Sequence, residues 1–567
     1  MLLRIQISAV LGAVALGLAG CAVPSASRQG ASSRAAEDKQ ARPADDYSPA
    51  AVQARTAAHA LYASAELLRL DDQPERAAEE FFKAAMSDLS NESLAVEASS
   101  RLLELRKTDR AIEVLTNATG RAGAGGAVYA RLGRAYAIAG KRDPAIEASR
   151  KAVKRSPELF AGYQNLALIY FQNKQTDAAL SVLEEAGRQT KVEATFLIEL
   201  AETYGLLFQR SGRTDAVKAR ALDALKRAAA LNPTNRIHVL RLADGFFEFG
   251  AADRAAETLG PLVDEEPDDQ RLREHLVDFL VRTDDRTNAI KHLRILVGDN
   301  PRSLPINSLL GRLLLFDRKP KEAVEYLNQA LRLNAGAEPE YFFDLARAQT
   351  GADDPKAALE TLDRARKRFP ENFICEFYSA LACSKMKDHT NTLKYLEAAE
   401  IIARVKETNR LNDEFFFHLG AAYERNHKFK EAESYFRKSL ALTPDFPEAL
   451  NYLGYMWAER GENLKEAHEL IEKAVKLEPK NAAFLDSLGW VLFRLDQPED
   501  ALKWIQKAIE HAEEPDATLF DHLGDIFAAL KKQEQARQAW QRAYSIEPSD
   551  QIQRKLNAVT APGEAPR

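Results

Sequence analysis

Apolar and small residues return along this chain with a period of 34. Within each period they fall into two stretches of about a dozen positions at helical spacing. A small residue sets the register. Ala65, Ser99, Gly133, Ala167 and Ala201 are each 34 apart, and after a longer step the series continues through Ala243, Val277, Gly311, Ala346, Ala380, Gly420, Gly454, Gly489 and Gly524. The steps are 34, 34, 34, 34, 42, 34, 34, 35, 34, 40, 34, 35 and 35, which makes 14 units. Twelve residues after the small position stands Ala77, Ala111, Ala145, Ala179, Ala255, Ala289, Ala323, Ala358, Ala432, Ala501 or Ala536, with Ala467 one residue late. A proline closes many units, as at Pro157, Pro233, Pro267, Pro301, Pro370, Pro444, Pro479 and Pro548. Three markers in phase over so long a stretch predict an all-α helix–turn–helix array.

The unit from Phe415 to Pro444 shows the logic. Phe416, Leu419, Gly420 and Tyr423 lie at i, i+3, i+4, i+7, and Ala432, Phe436 and Ser439 repeat the pattern on a second helix. The small residue lets the helices approach, and Tyr423 fills the space beside it. Asn426-His427-Lys428 makes a polar turn, and Pro444 stops the second helix because it has no N–H and its ring clashes with the preceding turn. One unit cannot bury its apolar face alone, so neighbours stack into a continuous core. In these features residues 58–550 resemble the tetratricopeptide-repeat (TPR) proteins, which implies a superhelical solenoid of about 14 repeats. That fold serves many unrelated roles. Two units are long: the fifth carries eight extra residues near Gly205–Arg220 and the tenth six near Ile401–Arg410. Length drift, a break of the array into segments or contact with a partner would account for either.

Residues 1–20 read as a targeting segment. Arg4 is the only early charge, and Ile5–Leu18 is an apolar run of 14 residues, too short to span a bilayer. It ends in Leu18-Ala19-Gly20-Cys21 and so resembles a bacterial lipoprotein signal peptide. The resemblance implies cleavage before Cys21 and acylation of that cysteine, several chains anchoring stably where one binds only marginally. Ala22, where an aspartate would resemble an inner-membrane retention signal, implies an outer-membrane lipid anchor facing the periplasm. Residues 21–50 are the lipidated cysteine and a disordered tether rich in Ala, Ser, Arg, Pro and Asp. Its 29 residues after Cys21 have a root-mean-square span of about 30 Å and a taut limit of about 100 Å. Residues 551–567 read as a capping segment, helical to Ala558, and a loose tail.

Charge narrows the partners. Lys and Arg number 78 against 84 Asp and Glu, a formal net charge of −6, with no basic block. Nucleic acid is not indicated, and membrane contact falls to the lipid anchor. Cys375 and Cys383 are eight apart on one predicted helix, about 12 Å along its axis. That exceeds the roughly 7 Å Cα limit of a disulfide, so they read as small buried hydrophobes. No H-E-x-x-H, G-x-x-x-x-G-K or G-x-S-x-G occurs. Ser384-Lys385-Met386-Lys387 fits S-x-x-K without companion motifs, and the glycines from Gly120 to Gly126 follow no strand. The chain is expected to be no enzyme and to take no metal, cofactor or small-molecule substrate.

The TPR resemblance implies a concave groove lined by first helices. Three residues before each small marker the last six units carry Phe343, Phe377, Phe417, Asn451, Asp486 and Asp521. Just after the marker the last three carry Tyr455, Trp490 and Asp525, with Phe493 one turn beyond Trp490. An aromatic strip beside amides and carboxylates suits an extended peptide or a helix, while inter-unit packing would use the same rings. The lysine and asparagine pattern of TPR clamps for C-terminal carboxylates is not evident. The block Asn451–Lys473 and Asn481–Phe493 resembles bacterial TPR lipoproteins, among them outer-membrane adaptors of periplasmic carboxyl-terminal processing proteases and their cell-wall hydrolase substrates. This implies a non-enzymatic scaffold for protein or peptide partners in the bacterial envelope. The alternative is a structural subunit of a pilus, secretion or exopolysaccharide machine.

Overall fold

The computed structural model describes residues 48–121, 123–210, 215–334 and 336–559. The targeting segment, Cys21 and all but the last residues of the tether lie outside the described residues, as does the tail after 559. Among the described residues are twenty-nine α-helices, one short 3-10 turn and no strand. No described helix is long and apolar enough to cross a membrane. The first helix runs Pro49–Leu70, so it begins ahead of the repeat boundary near Ala58 and takes in the last residues assigned to the tether. Ser48 caps it, accepting from the Ala51 N–H at 3.3 Å, and Pro49 fits the first turn, where its missing donor costs nothing.

Two compact bodies divide the chain, one up to Lys191 and one from Val192. The first holds four helix pairs, from Pro49–Leu70 to Thr176–Gly187, around a core that includes Phe81, Leu102, Leu115 and Val128. The second holds the remaining pairs, from Ala194–Arg210 onward, and ends in the single helix Asp550–Val559. One of its cores gathers Phe436, Leu453, Trp457, Ile471, Leu488, Ile505 and Ile526.

Each pair closes where the small marker stands. A Cβ added at Gly420 would lie 2.8 Å from Phe436, at Gly454 2.6 Å from Ile471 and at Gly489 2.7 Å from Ile505. The alanines twelve residues on, Ala77 through Ala536, are all fully buried. Seven residues after each marker the turn holds a left-handed residue wherever that turn is described. Examples are Arg106 (φ 60°), Lys174 (φ 61°), His427 (φ 59°) and Gly461 (φ 69°). The next N–H then bonds back over the helix end, as Lys428 to the Tyr423 carbonyl at 2.9 Å, which satisfies an orphan acceptor of the last turn. Lys387 of the S-x-x-K match is one of these turn residues, at φ 59°. Before the closing prolines the chain leaves the helix as proline sterics require: Ser156 has φ −140° and ψ 76°, Thr443 φ −132° and ψ 89°.

The long units differ in how they take up their extra residues. In the fifth, both helices grow, to 17 residues over Ala194–Arg210 and 16 over Asp215–Ala230. In the tenth only the second helix grows, to 18 residues over His389–Lys406, followed by the turn Thr408–Arg410. The glycine cluster is a connector whose Gly125 N–H donates to Glu92 at 2.9 Å. Cys375 and Cys383 are buried free thiols, each pushed up to about 11 by burial, and Cys375 donates to the Leu362 carbonyl at 3.3 Å.

Candidate functional site

First helices of successive repeats lie side by side, and a register of paired side chains runs along them in the second body. The residue just after one small marker meets the residue two before the next. Glu202 takes Arg241 through both oxygens at 2.7 and 2.6 Å. Asp244 meets His275 at 2.9 Å, Arg312 meets Asp344 at 2.6 Å, and the Arg347 guanidinium lies over Tyr378 at 6.0 Å. Trp490 stacks on His522 with centroids 4.0 Å apart and planes 15° apart. The last rung is Asp525, which receives Lys555 of the terminal helix at 2.7 Å.

Of the six positions three before the markers, all but Asn451 lean on the element that follows. Phe343 is buried edge-on to Tyr378 at 6.1 Å. Phe377 is half-buried among Phe373, Phe415 and His418, and Phe417 meets Tyr452 at 5.1 Å and Phe446 at 5.4 Å in T-shaped contacts. Asp486 is buried against His522 Nδ1 at 2.8 Å, and Asp521 receives Lys555 at 2.8 Å. Asn451 is buried with its amide oxygen lacking a hydrogen-bond partner. Trp490 is buried too, and Phe493 stacks on it at 5.1 Å. The expected stripe is therefore spent largely on seams between repeats. Positions −3 and +1 are one helical turn apart, so both sit at the contact with the next first helix.

Three of the residues singled out from the sequence share an open cleft: Asn451, Tyr455 and Asp486. The cleft measures ≈ 850 Å³ and lies between the helices Asp413–Arg425, Pro447–Arg460 and Ala482–Arg494, with the connector before Ala517–Ala529 at its rim. Phe343, Phe377, Phe417, Trp490, Phe493, Asp521 and Asp525 do not line it. Glu424, Tyr452, Met456, Glu459 and Leu519 complete much of its wall.

The electrostatics are one-sided. Burial raises the Tyr455 phenol far above its ordinary range, and Glu459, Asp486 and Glu424 add to the rise. Burial also lifts the Glu424 carboxyl; Arg425, His427 and His389 pull it back in part, while Glu459 reinforces it. At His522 burial works to lower the value, but Asp486, its hydrogen bond, Glu459 and Asp521 outweigh it and the pKa ends above the ordinary 6.5. Such a set of rings, carboxylates and an amide can hold a polar chain. Among the described residues no group of three or more His, Cys, Asp or Glu is placed to hold a metal ion.

His522, Glu424 and Glu459 were not singled out from the sequence. A signal existed for His522: it follows Trp490 by 32 residues, the spacing that also separates Arg312 from Asp344. The two glutamates carry no comparable mark in a chain with 29% charged residues.

Comparison with known families matches residues 126–159, 161–186, 308–373, 413–446 and 458–518 to the tetratricopeptide repeat. No curated protein matches the sequence. Similar solved structures include the APC/C hetero-tetramer Cut9-Hcn1, at 14% identity and TM-score 0.39 over 82% of this chain and 95% of that one. A tetratricopeptide repeat protein from Parabacteroides merdae matches at 18% identity and TM-score 0.38, over 46% of this chain and 99% of that one. Yeast Tom70 matches at 13% identity and TM-score 0.31, over 83% and 96%.

Proposed function

We propose that this array of tetratricopeptide repeats is a non-enzymatic, lipid-anchored adaptor that faces the periplasm and holds an extended segment of a partner protein in the Tyr455 cleft. The observation that carries the reading is the cleft itself: a recess of ≈ 850 Å³ with Tyr452, Tyr455 and Met456 beside Asn451 and Glu459, on a frame of stacked helices. Rings supply contact area, and amides and carboxylates accept backbone N–H groups of an extended chain. Leu18-Ala19-Gly20-Cys21 supports the anchor, and the likeness of residues 451–493 to bacterial TPR lipoproteins points to envelope proteases and their hydrolase substrates as the partners.

Affinity capture from envelope extracts tests the reading. Recovery of a protease or hydrolase supports the adaptor, and recovery of pilus, secretion or exopolysaccharide components replaces it with a subunit of an assembly machine. The purified chain should turn over neither casein nor peptidoglycan; intrinsic turnover would sink the non-enzymatic assignment. Cys21→Ser should take up no labelled palmitate and leave the membrane fraction, because the thiol is the acyl acceptor.

A further inference from the structure

Six carboxylates line the cleft around Tyr455: Glu424, Glu459, Asp486, Glu513, Glu514 and Asp516. Asp486 is already paired with His522 at 2.8 Å, and the cations on the wall do not balance the other five. Arg460 is engaged by Glu462 at 2.6 and 3.0 Å and covers the Phe429 ring at 4.1 Å. Arg425 approaches Glu424 only to 3.6 Å, and His427 is a turn residue stacked edge-on to Phe429. Negative charge therefore gathers in a recess walled by low-dielectric ring surface, where Coulomb interactions are strong.

A second observation is independent of this charge. Asn451 lines the same cleft, is only 6% exposed, and its amide oxygen has no hydrogen-bond partner. Buried acceptors are almost always satisfied, and one left open costs free energy that a donor from outside would recover. Carboxylates outnumber their cations and a buried acceptor lacks a donor, in one recess. A single chemical group supplies both.

We propose that the cleft seats a cationic side chain, arginine before lysine, carried by the extended partner segment; this rests on reading the cleft as a protein-binding groove. The guanidinium has five N–H donors in a planar fork, so it serves several carboxylates and the Asn451 amide together, whereas the lysine ammonium is a compact point charge. Glu513 and Glu514 stand on the exposed connector at the rim, where they draw the cation in. Tyr452 and Tyr455 offer ring surface to its aliphatic stem.

Fluorescence anisotropy on the detergent-solubilised full chain tests this. The probe is the fluorescein-labelled nonapeptide Gly-Ala-Phe-Ala-Arg-Ala-Phe-Ala-Gly, with counterparts carrying lysine, glutamine or glutamate at the centre. The arginine probe should bind about tenfold tighter than the glutamine probe, with lysine between them and glutamate weakest. The preference should shrink as salt is raised. It should vanish in Glu459→Gln combined with Glu513→Gln and Glu514→Gln, three changes that remove surface charge and leave the helical circular dichroism intact. Equal binding of the arginine and glutamine probes, or a preference that survives the triple variant, overturns the proposal while leaving the protein-binding reading in place. Binding of none of the four also overturns it, and the capture from envelope extracts then decides the wider reading separately.

Discussion

A Cβ added at Gly524 would stand 2.4 Å from the Trp540 indole, closer than real side chains come. Gly524→Ala should therefore cost about 1–3 kcal/mol by forcing the helices apart. All four tryptophans, Trp457, Trp490, Trp504 and Trp540, lie in the last third of the chain, so tryptophan fluorescence during denaturation reports these repeats selectively. By the same measurement Trp490→Ala should cost about 3–5 kcal/mol, because the ring is buried against His522 and its loss leaves a cavity. A cost under about 1 kcal/mol would contradict this placement. The histidine of the stacked pair titrates. His522 has its pKa raised in the fold, so its protonated form is favoured there. Its stabilising contribution is fully present below the ordinary value of 6.5 and is lost as pH rises through the higher folded value. The C-terminal repeats should accordingly resist denaturant better at pH 5.5 than at pH 8.5 in this respect, and Asp486→Asn should remove that part of the pH dependence.

At the scale of the element, the turn between paired helices decides stability through backbone conformation. Lys531 sits at φ 60°, where a side chain crowds the backbone and glycine does not. Lys531→Gly should stabilise the last repeats by about 0.5–1 kcal/mol, the gain at the strained turn exceeding the entropy glycine adds to the unfolded chain. Gly461 already holds the equivalent position at φ 69°, and a Cβ there would lie 3.0 Å from Arg494. Gly461→Ala should shift the fluorescence midpoint the other way. Equal shifts for both variants would remove the conformational explanation. Polar composition announces these turns, but the left-handed residue within them is visible only once the helix end is fixed, since Asp, Arg, Lys and His all occupy it.

Within each of the two bodies a repeat is held by its neighbours. The helix Asp550–Val559 closes the array, its Lys555 bridging Asp521 at 2.8 Å and Asp525 at 2.7 Å and its Ile552 packing with Trp540. A chain ending before Asp550 should lose stability in the last repeats by tryptophan fluorescence. Amide-exchange protection in the helix Pro74–Ser87 should stay unchanged, because no neighbour of that helix is touched. Loss of protection there would show that the array unfolds as one cooperative body instead.

The all-helical array, the pairing of helices within each repeat, the close approach at Gly420, Gly454, Gly489 and Gly524, and the buried alanines from Ala77 to Ala536 are legible from the order of residues alone. These follow from periodicity, since a residue recurring at 34 on a helical face has the same intra-repeat neighbour every time. The rest depends on how the helices pack in space. Packing put the extra residues of the fifth repeat into both helices and those of the tenth into one helix and its turn. It turned Phe343, Asp486 and Trp490 toward the next repeat and left Tyr455 beside an open cleft. Contacts between repeats join position +1 of one to position −2 of the next, a step of 32 from Arg312 to Asp344 and again from Trp490 to His522. That offset is set by how two helices pack, not by the period either one carries, so a pattern read in register at 34 passes over it.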